Sequence, residues 1–131
     1  MTTSDLPAAG QPDVSNEGTE APFDDVITLS TSNEDGVVTV TVVGEVDTFT
    51  APVLRSTLDS QLEQQPRELV IDLSGVQFLG SAGLAVLVET QKSSRAKEVG
   101  LRLIATTRAV TRPLEVTGLI DLFTIADSTA R

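Results

Sequence analysis

The chain has 131 residues, a mass of 13.8 kDa and a net charge of −10, which is enough length for one domain with a single modest core. It contains no cysteine and no histidine, which removes disulfides, thiolate metal sites, the commonest general base and the commonest metal ligand. The acid excess argues against nucleic acid as a partner, and without a run of about 18 apolar residues or a basic, apolar leader the expectation is a soluble cytoplasmic protein.

Residues 1–25 hold six acids, no Lys or Arg, three prolines (Pro7, Pro12, Pro22) and no apolar periodicity, so they read as a disordered acidic tail. The domain is expected over 26–131, where 13 acids stand against 9 bases. With four Phe and no Trp or Tyr, its core must be aliphatic.

Val26 to Ser32 can form a strand, Asn33-Glu34-Asp35-Gly36 supplies a turn, and Val37 to Val43 alternates Val and Thr with strong β-propensity. The pair predicts an antiparallel hairpin, its second strand ending at Gly44-Glu45-Val46-Asp47. Ala51-Pro52 opens a helix, because proline is tolerated in a first helical turn. Leu54, Leu58 and Leu62 form its core stripe, and Gln64-Gln65-Pro66 ends it.

Glu68 to Leu73 is apolar at nearly every position, as a central strand should be, and Ser74-Gly75 reads as a turn after it. Gly80-Ser81-Ala82-Gly83 then starts a helix running to about Lys97, with Ser81 in the N-cap place and Leu84 to Val88 apolar all round and expected to be buried. Leu101 to Ala105 is a further strand. Thr107 to Thr117 is a third helix closed by Gly118, and Pro113 suits it better if the helix begins near Thr111. Phe123 to Ala126 forms a last short strand, with too few residues after it for another helix. The order β-β-α-β-α-β-α-β predicts an α/β fold: a mixed sheet with an antiparallel N-terminal hairpin, parallel pairs joined by right-handed crossovers, and helices mainly on one face.

Enzyme chemistry finds little support. A nucleophile elbow needs glycine two residues before the serine, where Leu79 stands, and no histidine could activate the hydroxyl. No lysine follows the glycines as a phosphate loop requires. Glu45, Asp47 and Asp72 fall at strand ends, but without a further acid cluster they suit turns and solubility better than a metal. Ser81 is left with two readings: a capping serine contributing about 1 kcal/mol to its helix, or an acceptor of phosphate, which would add about −1.5 to −2 charges at the positive end of that helix.

Three motifs resemble the STAS-domain anti-sigma factor antagonists. Gly44-Glu45-Val46-Asp47 is similar to the family's Gly-Glu-(Leu/Ile/Val)-Asp. Val70 to Leu79 is similar to its Val-Ile-Asp-Leu-Ser-x-Val-x-Phe-(Leu/Ile/Met), and Gly80-Ser81-Ala82-Gly83-Leu84 to its Asp-Ser-(Ser/Thr/Ala)-Gly-Leu, in which the serine is phosphorylated. Thr117-Gly118-Leu119 with Phe123 also matches the usual end of the third helix. Gly80 departs from the frequent Asp, and the chain stops where many members carry a final helix.

The resemblance implies a STAS-like fold and a non-enzymatic partner switch. Unphosphorylated, the chain would bind an anti-sigma factor that is itself a serine kinase, freeing a sigma factor. Phosphorylation of Ser81 would weaken the complex and a PP2C-type phosphatase would reverse it. ATP and metal would belong to those partners, and no cofactor to this chain. Asp47, Thr48, Gly80, Ser81, Ala82, Gly83 and Leu84 are the expected partner-binding residues. The rival readings are an unphosphorylated STAS subunit of a membrane lipid-transport complex and a free-standing nucleotide-binding module.

Overall fold

The computed structural model describes residues 27–126; the expected N-terminal tail, Val26 and the last five residues lie outside them. Five strands form one sheet in the order β1-β2-β3-β4-β5: β1 Thr28–Glu34, β2 Val37–Val46, β3 Glu68–Leu79, β4 Gly100–Ile104 and β5 Thr124–Ala126. The helices are α1 Ala51–Glu63, α2 Ser81–Ala96 and α3 Arg108–Val116, with a short 3-10 turn at Ile120–Leu122. β1 pairs antiparallel with β2, and the remaining pairs are parallel. The sheet order follows the chain order; α1 and α2 pack against each other, and α3 packs against β3. The core agrees with that geometry: Val38, Val40 and Val42 of β2 and Leu69, Ile71 and Leu73 of β3 share one cluster with the buried leucines and valines of all three helices. The alternate positions Thr39, Thr41, Glu68 and Arg102 turn to the other face, where Arg102 Nε stands 3.3 Å from Glu68.

The hairpin turn is tighter than expected. Only Asp35 (φ 56°) and Gly36 (φ 85°) lie between the strands, both in the left-handed region that two-residue hairpin loops require. β2 also runs on to Val46.

Ser74-Gly75 is not a turn. β3 passes straight through it, and Gly75 pairs with Val43 of β2. A Cβ at Gly75 would lie 2.9 Å from Val43 Cγ2, so glycine serves close approach between strands. The parallel register slips here and again near the end, β3 taking one extra residue each time: Thr41 and Val43 face Asp72 and Gly75, and Gly44 and Glu45 face Val76 and Phe78.

In α3 the helix begins at Arg108, so Pro113 is an interior residue rather than a first-turn one. It lacks the N–H that would reach back one turn. Val110 and Leu114, both fully buried, flank it, and burying two such side chains contributes roughly 3–6 kcal/mol, enough to offset a proline of about 3 kcal/mol. The chain leaves the helix through Gly118 (φ 76°), as expected.

Candidate functional site

Parallel strands β2 and β3 end side by side, Val46 opposite Leu79, and the Gly80 N–H donates to the Val46 carbonyl at 2.9 Å. The loop after β2 and the start of α2 are thereby held together at the carboxyl end of the sheet. Ser81 is not the cap. Gly80 is, with extended backbone (φ −90°, ψ −178°), and Ser81 is the first helical residue, exposed to solvent. The first helical bond runs from Leu84 N–H to the Gly80 carbonyl at 3.0 Å. Glycine offers no side-chain acceptor and the first turn holds no acid, so the N–H groups of that turn have no side-chain cap at the positive end of a 16-residue helix.

Gly83 is buried beneath the serine. A Cβ there would lie 2.6 Å from Leu79 Cδ1 and 2.6 Å from Val46 Cγ1, so the absence of a side chain lets α2 sit directly on the two strand ends. Leu84 is buried as well, while Ala82 is half-buried. Of Leu84 to Val88, expected to be buried throughout, Ala85 is exposed and Val88 half-buried, because the outer face of α2 runs Ser81, Ala85, Glu89 at four-residue spacing.

Shallow grooves flank that low ridge. One, of about 230 Å³, lies toward α1 and is lined by Thr48, Ala51, Pro52, Arg55 and Ala82 among others. The other, of about 430 Å³, lies toward the segment after α3 and is lined by Leu84, Val88, Lys92 and Leu119 together with Ser81 and Glu89. Arg55 of α1 forms an ion pair and hydrogen bond with Glu89 of α2 across the ridge, and its guanidinium holds the Glu89 carboxyl below the usual range.

Asp47 has a local task. Its Oδ1 accepts from the N–H of Phe49 at 2.9 Å and of Thr50 at 3.0 Å, and its carbonyl accepts from Ala51 N–H at 2.9 Å. Thr50 Oγ1 accepts from Asp47 N–H at 2.9 Å and donates to the Glu45 carbonyl at 2.8 Å. These bonds, the Thr50 N–H foremost, pull the Asp47 carboxyl below its ordinary value. Asp47 thus shapes the loop, and Thr48 and Phe49 are what the loop presents.

A basin of about 390 Å³ at the opposite end of the sheet, lined by Glu34, Asp35, Arg67, Glu68 and Arg102 among others, is occupied with its own pairing: Arg67 donates to the Asp35 carbonyl and Arg102 faces Glu68. Among the described residues no group of three acids, histidines or cysteines could hold a metal, and no helix is long and apolar enough to cross a membrane.

The expected residues therefore divide. Thr48, Gly80, Ser81 and Ala82 meet at one accessible patch, whereas Gly83 and Leu84 pack beneath it and Asp47 folds the loop. Ala85, Arg55, Glu89 and Leu119 join them without having been singled out by sequence; four-residue spacing from Ser81 could have found Ala85 and Glu89.

A five-stranded mixed sheet opening with an antiparallel hairpin, three helices and an exposed serine at the start of the second together define a class. The chain belongs to the STAS domain family, whose model matches residues 28–131. It is 34% identical over 99 residues to the anti-sigma-F factor antagonist RsfB of Mycobacterium tuberculosis, covering 76% of this chain and 80% of that one. It is 28% identical to the anti-sigma-B factor antagonist of Staphylococcus aureus, over 79% of this chain and 95% of the other. An anti-sigma factor antagonist from Mycobacterium paratuberculosis superposes with a TM-score of 0.75 at 40% identity, covering 85% of this chain and 92% of that one.

Proposed function

We propose that the chain is an anti-sigma factor antagonist, a binding protein that docks on an anti-sigma factor through the Ser81 patch and so frees a sigma factor. The similarity to antagonists of the anti-sigma-F and anti-sigma-B factors supports the partner class. The observation that carries the switch is the placement of Ser81: exposed, first in α2, with uncapped N–H groups around it and no acid nearby in the turn.

In this reading the anti-sigma factor is also the kinase. The Ser81 hydroxyl oxygen attacks the γ-phosphorus of ATP, the bond to the ADP oxygen breaks, and the hydroxyl proton leaves to the kinase's base. The new group adds about −1.5 to −2 charges where the helix end attracts anions, so the fold tolerates it. A partner seated over Ser81 and the two grooves instead meets added bulk and charge, and dissociates. A PP2C-type phosphatase resets the switch by passing the phosphoryl group to water.

The test is incubation of the full chain with ATP and each anti-sigma factor kinase of its organism, followed by site mapping. Phosphate on Ser81, absent in Ser81→Ala, with tight binding by Ser81→Ala and weak binding by Ser81→Glu, is the expected result. Equal binding by all three forms would overturn the switch, and stable co-purification with a transporter ATPase would replace the partner.

A further inference from the structure

Phe78 is exposed because β3 is bulged. Strict alternation from buried Val76 would turn Phe78 inward with it, but the extra residue that β3 takes before Phe78 reverses the sense, leaving Phe78 half exposed at 50% and sending Leu79 into the core instead. The ring then lies against Gly80: a Cβ on that residue would stand 3.0 Å from Phe78 Cε2 and 3.3 Å from Cζ. The backbone of Gly80 has φ −90°, open to any residue, so glycine is not required there by conformation. What it supplies is room for the ring beside the residue that precedes Ser81.

A second phenylalanine reinforces the pattern. Phe49, in the loop held by Asp47, is 86% exposed. Two of the three phenylalanines among the described residues thus stand in solvent at the same end of the sheet, the end that carries Ser81, while Phe123 is buried. Exposed aromatic side chains near a functional site mark binding surfaces, and rings of this kind dominate interface energies.

We propose that Phe78 is an apolar anchor of the docking face and that Gly80 is a positioning residue which keeps its ring in place. This rests on the docking reading above, and the occupant is the same partner: an anti-sigma factor whose contact surface offers an apolar pocket to the ring next to the place where it meets Ser81. Phosphate on Ser81 then acts on the neighbour of the anchor, so a single modification disturbs the part of the interface that contributes most.

The experiment is a binding cycle on the full chain, titrated with the anti-sigma factor that the wild-type chain binds. Phe78→Ala should weaken binding at least about tenfold. Gly80→Ala, which pushes the ring aside, should weaken it by about three- to tenfold alone and have no further effect in the Phe78→Ala background. Phe78→Leu keeps apolar bulk for folding while removing the ring, and should also bind at least about threefold more weakly. In the isolated chain, Gly80→Ala should shift the ring resonances of Phe78 in NMR spectra while the thermal midpoint stays close to wild type. Binding within twofold of wild type by both Phe78 variants overturns the anchor, with the docking reading intact. A Gly80→Ala loss that persists undiminished without the ring overturns the positioning role. If wild-type chain binds no anti-sigma factor, the docking reading fails and this proposal fails with it.

Discussion

Gly83→Ala tests how closely α2 is seated on the strand ends. The added methyl would stand 2.6 Å from both Leu79 Cδ1 and Val46 Cγ1, and 3.3 Å from Val46 Cβ. Carbon pairs are comfortable at about 3.5–4.0 Å, so both neighbours must retreat by about 1 Å. Neither has space: both are buried, Val46 is stiff at χ1, and its carbonyl is tied to Gly80 N–H. Overpacking of this kind costs about 1–3 kcal/mol, and the upper end applies where two core side chains move together. Replacing glycine by alanine inside a helix returns about 1 kcal/mol. The net is a loss of about 2 kcal/mol, or roughly 10 °C in thermal midpoint for a domain of this size. Circular dichroism melts of wild type, Gly83→Ala and Gly80→Ala provide the comparison. Gly80→Ala meets only a surface ring and should melt within about 3 °C of wild type. A Gly83→Ala protein melting at or above the wild-type temperature would refute the tight seating of α2.

Leu58→Ala removes a fully buried side chain from the α1 stripe and should cost about 2–5 kcal/mol, measured by urea unfolding. Arg55→Ala breaks an exposed α1–α2 ion pair and should move the thermal midpoint by no more than about 2 °C, with that small difference vanishing in high salt. Asp47 has a carboxyl pKa lowered by its loop hydrogen bonds, so its stabilisation is complete above the unfolded value near pH 4 and fades as pH falls through the lower folded value. Asp47→Asn should therefore flatten the acid side of the stability profile below about pH 4, as read from urea midpoints across pH.

Much of this architecture is legible in the residues. The Val/Thr alternation of 37–43, Pro52 with the Leu54, Leu58 and Leu62 stripe, and Gly118 each have one strong local meaning, and each stands as expected. Ser74-Gly75 was ambiguous in principle: glycine in a polar pair signals a turn or a close approach, and only the position of Val43 on the neighbouring strand decides. A serine at a helix start resembles a cap, whereas the extended backbone of Gly80 makes the glycine the cap and Ser81 the first helical residue. Pro113 suits a first helical turn by itself, but the buried Val110 and Leu114 of the same helix place it in the interior. The outward Phe78 was hidden altogether, since an apolar residue near a strand end reads as core and the bulge that turns it out arises from pairing with β2. Arg55 and Glu89, 34 residues apart, meet only through helix packing.

The most direct measurement is the affinity of the full chain for its anti-sigma factor before and after stoichiometric phosphorylation, with the modified residue mapped by mass spectrometry. If the uncapped start of α2 is the switch, a single phosphate sits on Ser81 and binding falls by at least about tenfold while the circular dichroism spectrum is unchanged. A phosphate mapped to another residue, or equal affinity with and without phosphate on Ser81, would contradict it.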